Sequence, residues 1–498
     1  MGAMEAWPHV HAWRVSPRES AGLRYARPVL HGWRSEFGGC GVPRRGVRPR
    51  GTALAALAAL AVPLALGAAA FATPQEEAGA APPAALPAPA EAAVSPAERR
   101  GFQWIPPDFG PFMPALAGMN TAPASVLQSG AIIPQDPLSD ASDRVKRELA
   151  ALGLQYTLDQ AFLLSVAGET VQGDAALGGW SFEFLGKFRV YRDEGSSGWV
   201  SAEFDGGSGF GVNWEQQSPR QNMGTFTSSM EAWYGEDVWI GELAWGMSFA
   251  EGHLALVAGL VDQSNYFDLN GLSNSGYGQL LNTAFIYSAV IPITYNNLGA
   301  NLQWQPNDSF YVLAGVGTNN QQEGTSPFSR VGAGNLSWLF ELGWTPADVL
   351  GLGAGVYRLQ PFVASRGGDT GGGVGFNFEQ ALGKESPVGV FGRFGVGGST
   401  VAAIGGAEAE ATVGVVAKGA SVSPLGLSRS ANNYLGLGFG WNRTAAGGQD
   451  EYVVEGTWVM QITPTMTLQP DLQVIVDPVF NPGARSAVVF QLQLNMQW

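Results

Sequence analysis

Thiol and imidazole chemistry has almost no material in this sequence, which holds one cysteine, Cys40, and four histidines, His9, His11, His31 and His253. All but His253 lie within the first 72 residues. Beyond them, disulfide stapling, a cysteine nucleophile and a zinc site built from His and Cys are excluded. A Ser-His-Asp arrangement would rest on His253 alone, and "FAEGHLAL" reads as a tight turn between strands at the water interface, not as the seat of a base. Positive charge is scarce too: after residue 72 there are 18 basic against 39 acidic residues, a net of −21, which excludes nucleic acid as a partner. Long apolar runs are missing over the same range, so no membrane-spanning helix is expected there. No catalytic residue, metal site or cofactor is expected.

Glycine and aromatics are plentiful, with 69 Gly and 16 Trp, while only 14 % of residues are charged. That balance suits short strands joined by turns. The alternation confirms it. "LQYTLD" sets Leu154, Tyr156 and Leu158 against Gln155, Thr157 and Asp159. "WSFEFLGKFRVY" sets Trp180, Phe182, Phe184, Phe188 and Val190 against Ser181, Glu183, Lys187, Arg189 and Tyr191. "WIGELAWGMSF" sets Trp239, Leu243, Trp245, Met247 and Phe249 against Glu242, Ala244 and Ser248, and "SAVVFQLQLNMQW" interleaves apolar side chains with Gln and Asn up to Trp498. A period of two marks strands with one greasy and one hydrogen-bonding face. Runs of about ten residues match the length a tilted strand needs to cross hydrocarbon. The 345 residues from Leu154 to Trp498, at about 21 per strand with its connection, predict roughly sixteen strands, and a sheet that large has to close or split. Aromatics at the ends of apolar faces (Trp180, Trp239, Tyr452, Trp498) fit interfacial girdles. The expectation is an all-β, transmembrane antiparallel β-barrel over 154–498, its inner wall polar throughout, with short periplasmic turns on one rim and long outer loops on the other.

Ahead of the barrel, nine Arg and no Lys precede position 51, and "GTALAALAALAVPLALGAAAFA" then ends on Ala70-Phe71-Ala72. A basic region, a short apolar core and an A-x-A site predict a signal peptide over 1–72, cleaved after Ala72. The basic region is long for such a leader, which sets the expected start of the precursor downstream of Met1, near Val47. Residues 73–135 are an Ala/Pro-rich flexible segment, read as a disordered spacer over 73–101 and as more apolar and Pro-broken in "FQWIPPDFGPFMPAL". "LSDASDRVKRELAALGLQ" predicts a short surface helix within 136–153, starting near Ser139 or Ser142 and stopping at Gly153.

Several stretches resemble the OprB-like carbohydrate-selective porins. "YVVEGTWVMQITPTMTLQPDLQVIVDP" is similar to that family's penultimate strand pair, with a turn at Thr463-Pro464. "GELAWGMSFAEGHLALVAGLVDQSNYFD" followed by "QLLNTAF" resembles its hairpin with a Gly-x-x-Asp and a later Phe-Asp loop. "VGVFGRFGVG" is like its Phe-x-Arg strand, and "RVKRELAALGLQYTLD" is like its opening helix and first strand. Trp498 stands where the family usually ends on Phe, and Gly246-Met247 where an aromatic and a Gln are commoner. The resemblance implies a sixteen-stranded barrel passing sugars by diffusion, surrounded by outer-membrane lipid and lipopolysaccharide and assembled through its Trp498 strand by the barrel-assembly machinery. A homo-oligomer is left open.

Inward parity and motif position together nominate pore-lining, sugar-contacting candidates. Lys187 and Arg189 form one basic wall and Arg393 another, with Glu242, Asp262, Glu455, Asp471 and Gln473 as acidic and amide partners for hydroxyls. The acidic balance keeps a second reading alive, a general cation-preferring porin. A carboxylate-only outer-membrane enzyme and a non-conducting structural barrel are the readings from other classes.

Overall fold

The computed structural model describes residues 131–134, 136–209, 219–230, 238–319, 334–383, 386–419, 422–423, 426–428, 430, 432–444 and 448–497. The stretch expected to be a signal peptide (1–72), most of the stretch expected to be a spacer (73–135) and Trp498 lie outside the described residues. Helix α1 (Pro137–Ala151) precedes sixteen strands: β1 (Leu154–Ala167), β2 (Ala176–Arg192), β3 (Ser197–Gly209), β4 (Trp239–Phe249), β5 (Leu254–Val261), β6 (Asn297–Asn307), β7 (Phe310–Thr318), β8 (Leu336–Trp344), β9 (Gly355–Arg366), β10 (Asp369–Ala381), β11 (Val388–Gly397), β12 (Ala407–Lys418), β13 (Tyr434–Thr444), β14 (Asp450–Thr463), β15 (Met466–Val476) and β16 (Ser486–Gln497). Short helices α2 (Pro219–Met223), α3 (Thr283–Ile286) and α4 (Ser399–Gly405) sit in the connections. Each strand pairs antiparallel with its neighbours in sequence, and β1 closes on β16 from Asp159↔Gln497 to Ala167↔Val489. Closure leaves no sheet edge with unpaired backbone groups, the condition for crossing a bilayer with strands.

The pleat sorts side chains as the alternation predicts. On β8, Trp338, Phe340, Leu342 and Trp344 are exposed outward while Ser337, Leu339 and Glu341 are buried inside. On β16, Val488 and Phe490 face out and Gln491, Gln493 and Asn495 are buried within. Two bulges change the predicted faces. A register shift between Arg189 and Tyr191 pairs Tyr191 with Gly198 and lays its ring over that glycine, away from Lys187. A second shift, at Gly241, pairs Trp239 with Asp205, to which its indole donates at 2.8 Å, so Trp239 leaves the lipid face predicted for it. Aromatics do form an outer ladder, Trp344–Tyr357–Phe378–Phe394, with ring centroids 5.2 to 6.4 Å apart.

The helix begins earlier than Ser139. Asp136 is its N-cap, accepting from Leu138 N at 2.9 Å, and Pro137 occupies the first turn, where its missing N–H costs nothing. The Asp136 carboxylate also accepts from Thr463 and Thr465 of the β14–β15 turn at 2.8 and 2.5 Å. Ile133 N donates to Ile462 O at 2.8 Å beside it. The helix is thereby tied to the rim that carries both ends of the barrel chain, and His253 sits in a turn on that same rim. Partial burial opposes ionisation of Asp136, but the bonds from Thr465, Thr463 and the backbone outweigh it and hold the carboxyl below its ordinary range. A lowered native value means the anchor is complete above the ordinary carboxylate range, about pH 4, and is lost as pH falls through that native value. Asp136→Ala is expected to cost about 1 kcal/mol of helix stability. Faster amide exchange over 138–151 at neutral pH, with strand amides unchanged, is the check.

Candidate functional site

The longest connection between strands with every residue described, 262–296, leaves β5 and folds into the lumen instead of over the rim. Its own sequence supplies the means. Asp262 and Asn282 cap short helical turns by accepting from Ser264 N and Ala284 N at 2.8 and 2.9 Å. Apolar residues between the caps give it a surface to bury. Phe267, Val290, Ile291 and Ile293 pack against Trp199, Val257, Leu313, Leu339 and Phe362 of the β3–β9 wall. Leu272, Leu280, Ala284 and Phe285 pack against Phe391, Val416, Tyr434 and Val453 on the opposite side. The inner wall is therefore not polar throughout, because these side chains face the segment and not water.

Polar wall residues then pin the segment around much of the circumference. Glu455 on β14 accepts from Leu281 N and Asn282 N at 2.5 and 3.0 Å, and Gln473 on β15 accepts from Asn282 Nδ2 at 2.9 Å. Glu410 on β12 accepts from Ala289 N at 2.7 Å and from the Ser288 hydroxyl. Glu242 on β4 accepts from Tyr266 Oη at 2.8 Å and from Ser201 Oγ at 2.5 Å. Gln493 donates to Gly276 O at 2.5 Å, Tyr434 to Leu272 O at 2.9 Å and Lys418 to Gly271 O at 2.9 Å. A second stretch, 219–230, joins it: Ser228 N donates to Thr283 Oγ1 at 2.9 Å, and Glu451 on β14 accepts from Phe226 N and Thr227 N at 2.7 and 2.9 Å.

The nominated residues fall into separate places. Glu242, Arg393, Glu455 and Gln473 hold the lumen segment, and Asp262 begins it. Asp471 accepts from Gln473 Nε2 at 2.8 Å on the same wall. Lys187 faces inward with its ammonium 5.3 Å from the centre of the Trp199 ring, in a sector that also holds the carboxylates of Glu203, Asp205, Glu242 and Asp262. Arg189 stands apart near the rim, where its N–H donates to Gly153 O at 2.8 Å. Sequence reasoning passed over Asp268, Glu341, Arg358, Glu379, Glu410 and Glu451, all buried inside. Arg358 pairs with Glu379 at 3.0 Å and lies 3.7 Å from Glu341, which also accepts from Gln360 at 2.8 Å. Glu341, one carboxylate among Trp338, Phe340, Leu342 and Trp344, carried the same signal that nominated Glu455. No group of His, Cys, Asp and Glu suited to a metal ion occurs among the described residues.

Residues 207–498, more than half of the chain, match the family described as carbohydrate-selective porin, OprB family. The chain belongs to the OprB family. A curated relative, porin AaxA of Chlamydia pneumoniae, is 24 % identical over 297 residues, covering 57 % of this chain and 64 % of that protein, so less than two thirds of the relative is matched. A solved structure of Pseudomonas putida OprB at high pH superposes with a TM-score of 0.56 at 18 % identity, over 71 % of this chain and 96 % of that one, which speaks to the fold. An OprB-family barrel is an outer-membrane protein, and its fold is that of channels, not of enzymes.

Proposed function

We propose that the chain lets small hydrophilic solutes diffuse passively across the outer membrane, with a preference for neutral, hydroxyl-rich molecules such as sugars. The observation that carries this reading is the lumen segment 262–296, held across a closed barrel by carboxylates, amides and one arginine. Pinned from the wall at many points, the segment narrows the lumen to a passage of fixed outline, and polar groups that face the remaining water can hydrogen-bond hydroxyls. In this reading Glu242, Arg393, Glu455 and Gln473 act by shaping the passage, and Lys187, Arg189, Asp262 and Asp471 act through the field they set along it.

One observation favours the cation-preferring alternative: Glu203, Asp205, Glu242 and Asp262 gather on the β3–β5 side with Lys187 as their near cation. Swelling of liposomes carrying the refolded chain, together with the reversal potential of the same chain in a planar bilayer, separates the two. The sugar reading expects mono- and disaccharides to enter faster than zwitterions of equal mass, with a reversal potential near zero in a salt gradient. Equal rates for all neutral solutes, with a strongly cationic reversal potential, would move the assignment to a general porin.

A further inference from the structure

The geometry points to Arg393 and Asp268 as the pair that sets the width of the passage, by locking segment 262–296 across the lumen and not by meeting the solute. The inference rests on the diffusion reading above and names what fixes its constriction. Arg393, on β11, is 1 % exposed and its donors are spent on the segment. Nε donates to Asp268 Oδ2 at 3.0 Å and Nη1 to Phe285 O at 2.5 Å. Nη2 reaches Asp268 O at 3.1 Å, Ser273 O at 2.9 Å and Ile286 O at 2.8 Å, with Asn274 Oδ1 at 3.4 Å. A guanidinium offers five N–H groups in a rigid fork, and here all three nitrogens end on this one segment. The contacts fall at its early part, 268–274, and at the end of α3, 285–286, so one side chain gathers two stretches that run apart in between.

Asp268 is built as the counterpart. It is a non-glycine residue with φ of 59°, a backbone state that persists only where the surroundings over-determine it. Those surroundings are on three sides. Asn377 on β10 donates to Oδ1 at 2.7 Å, Ser288 N donates to Oδ2 at 2.6 Å, and Asp268 N donates to Glu341 on β8 at 3.2 Å. The pair thus links β8, β10 and β11 to both ends of the segment's polar core. Removing either partner leaves the other charge buried without its mate, and the segment is the part free to move in answer.

The test uses the refolded full chain in planar bilayers, with conductance and the cut-off for neutral polyethylene glycols as readouts, and a gel-mobility shift on boiling to show that each variant is folded. R393Q and D268N are each expected to raise single-channel conductance by about two-fold or more and to admit larger polymers. The double variant should do no more than either single one. Rescue is available from the geometry: a Cβ on Gly440 of β13 would stand 3.4 Å from that of Ala284, close to disulfide range. With Cys40 replaced by Ser, A284C and G440C placed in the R393Q background are expected to restore wild-type conductance when oxidised and to release it under dithiothreitol. R393K, which keeps the charge but not the fork, should fall between.

Wild-type conductance and polymer cut-off in folded R393Q and D268N, or no recovery with the oxidised staple, would overturn the inference while leaving the diffusion reading intact. A silent wild type that conducts once R393Q is introduced would overturn the diffusion reading and uphold the lock. Silence in both would overturn both. If R393Q does not fold, D268N and R393K decide by the same criteria.

Discussion

Phe340→Arg is expected to destabilise the folded barrel by roughly 2–4 kcal/mol in lipid, the cost of an arginine near the bilayer midplane on a lipid-facing strand. Phe340 is the middle residue of β8, 41 % exposed and flanked on the same outer face by Trp338 and Leu342. Its backbone pairs with Ala314 on β7, a small neighbour that offers no polar group to a guanidinium. Phe340→Leu, which keeps the face apolar, is expected to stay within about 1.5 kcal/mol of wild type. Urea unfolding in vesicles, followed by tryptophan fluorescence, measures both. Equal midpoints for the Arg and Leu variants would mean that β8 does not face hydrocarbon, and the inside-out reading of the barrel would fall.

Gly438→Leu strikes the other face. Gly438 lies inward on β13, between Gly414 and Glu455 on the adjoining strands. A Cβ there would come within 2.7 to 3.0 Å of three atoms of the Phe285 ring, so the glycine is a socket for that side chain. Phe285 is fully buried on α3, one turn beyond the backbone N–H groups that Glu455 accepts. A leucine must push the ring out. The expected cost is about 1–3 kcal/mol for overpacking, and about 1–3 kcal/mol more for each buried N–H stripped of its acceptor if α3 is dislodged. Gly456→Leu is the control, since a Cβ on that glycine meets nothing within 4 Å. The expected result is a lowered unfolding midpoint and altered conductance for the Gly438 variant, and neither for the Gly456 variant. Equal behaviour would show that the segment is not seated on β13.

The barrel was legible because period-two alternation is a local signal that survives in each strand. Strand number alone left closing or splitting open, and the aromatics at the ends of apolar faces favoured a closed barrel in a membrane. The two bulges were not legible: one extra residue at Gly241 turns Trp239 over, and a strand glycine, though it can mark a bulge, is too common in this chain to single this one out. The lumen segment was hidden for a different reason. "NYFDLNGLSNSGYGQLLNTAF" has neither helical nor strand period, because its fold is imposed by sockets and hydrogen bonds from strands that follow it in the chain. Arg393 and Glu455 could be found from parity, but the role the structure gives them could not, since it depends on carbonyls and N–H groups more than 100 residues away. Asp268 follows Phe267 in "NYFD", and a polar residue after an aromatic is ordinary in a loop, so its sequence carries no mark of its role.

The most direct measurement is single-channel conductance of the refolded wild-type chain in a planar bilayer, titrated with mono- and oligosaccharides from one side. Steady openings are expected, with a current that falls in a saturable, size-dependent way as sugar is added and with little preference for cations. Absence of openings from a chain proven to be folded, or openings that no sugar reduces, would contradict that expectation.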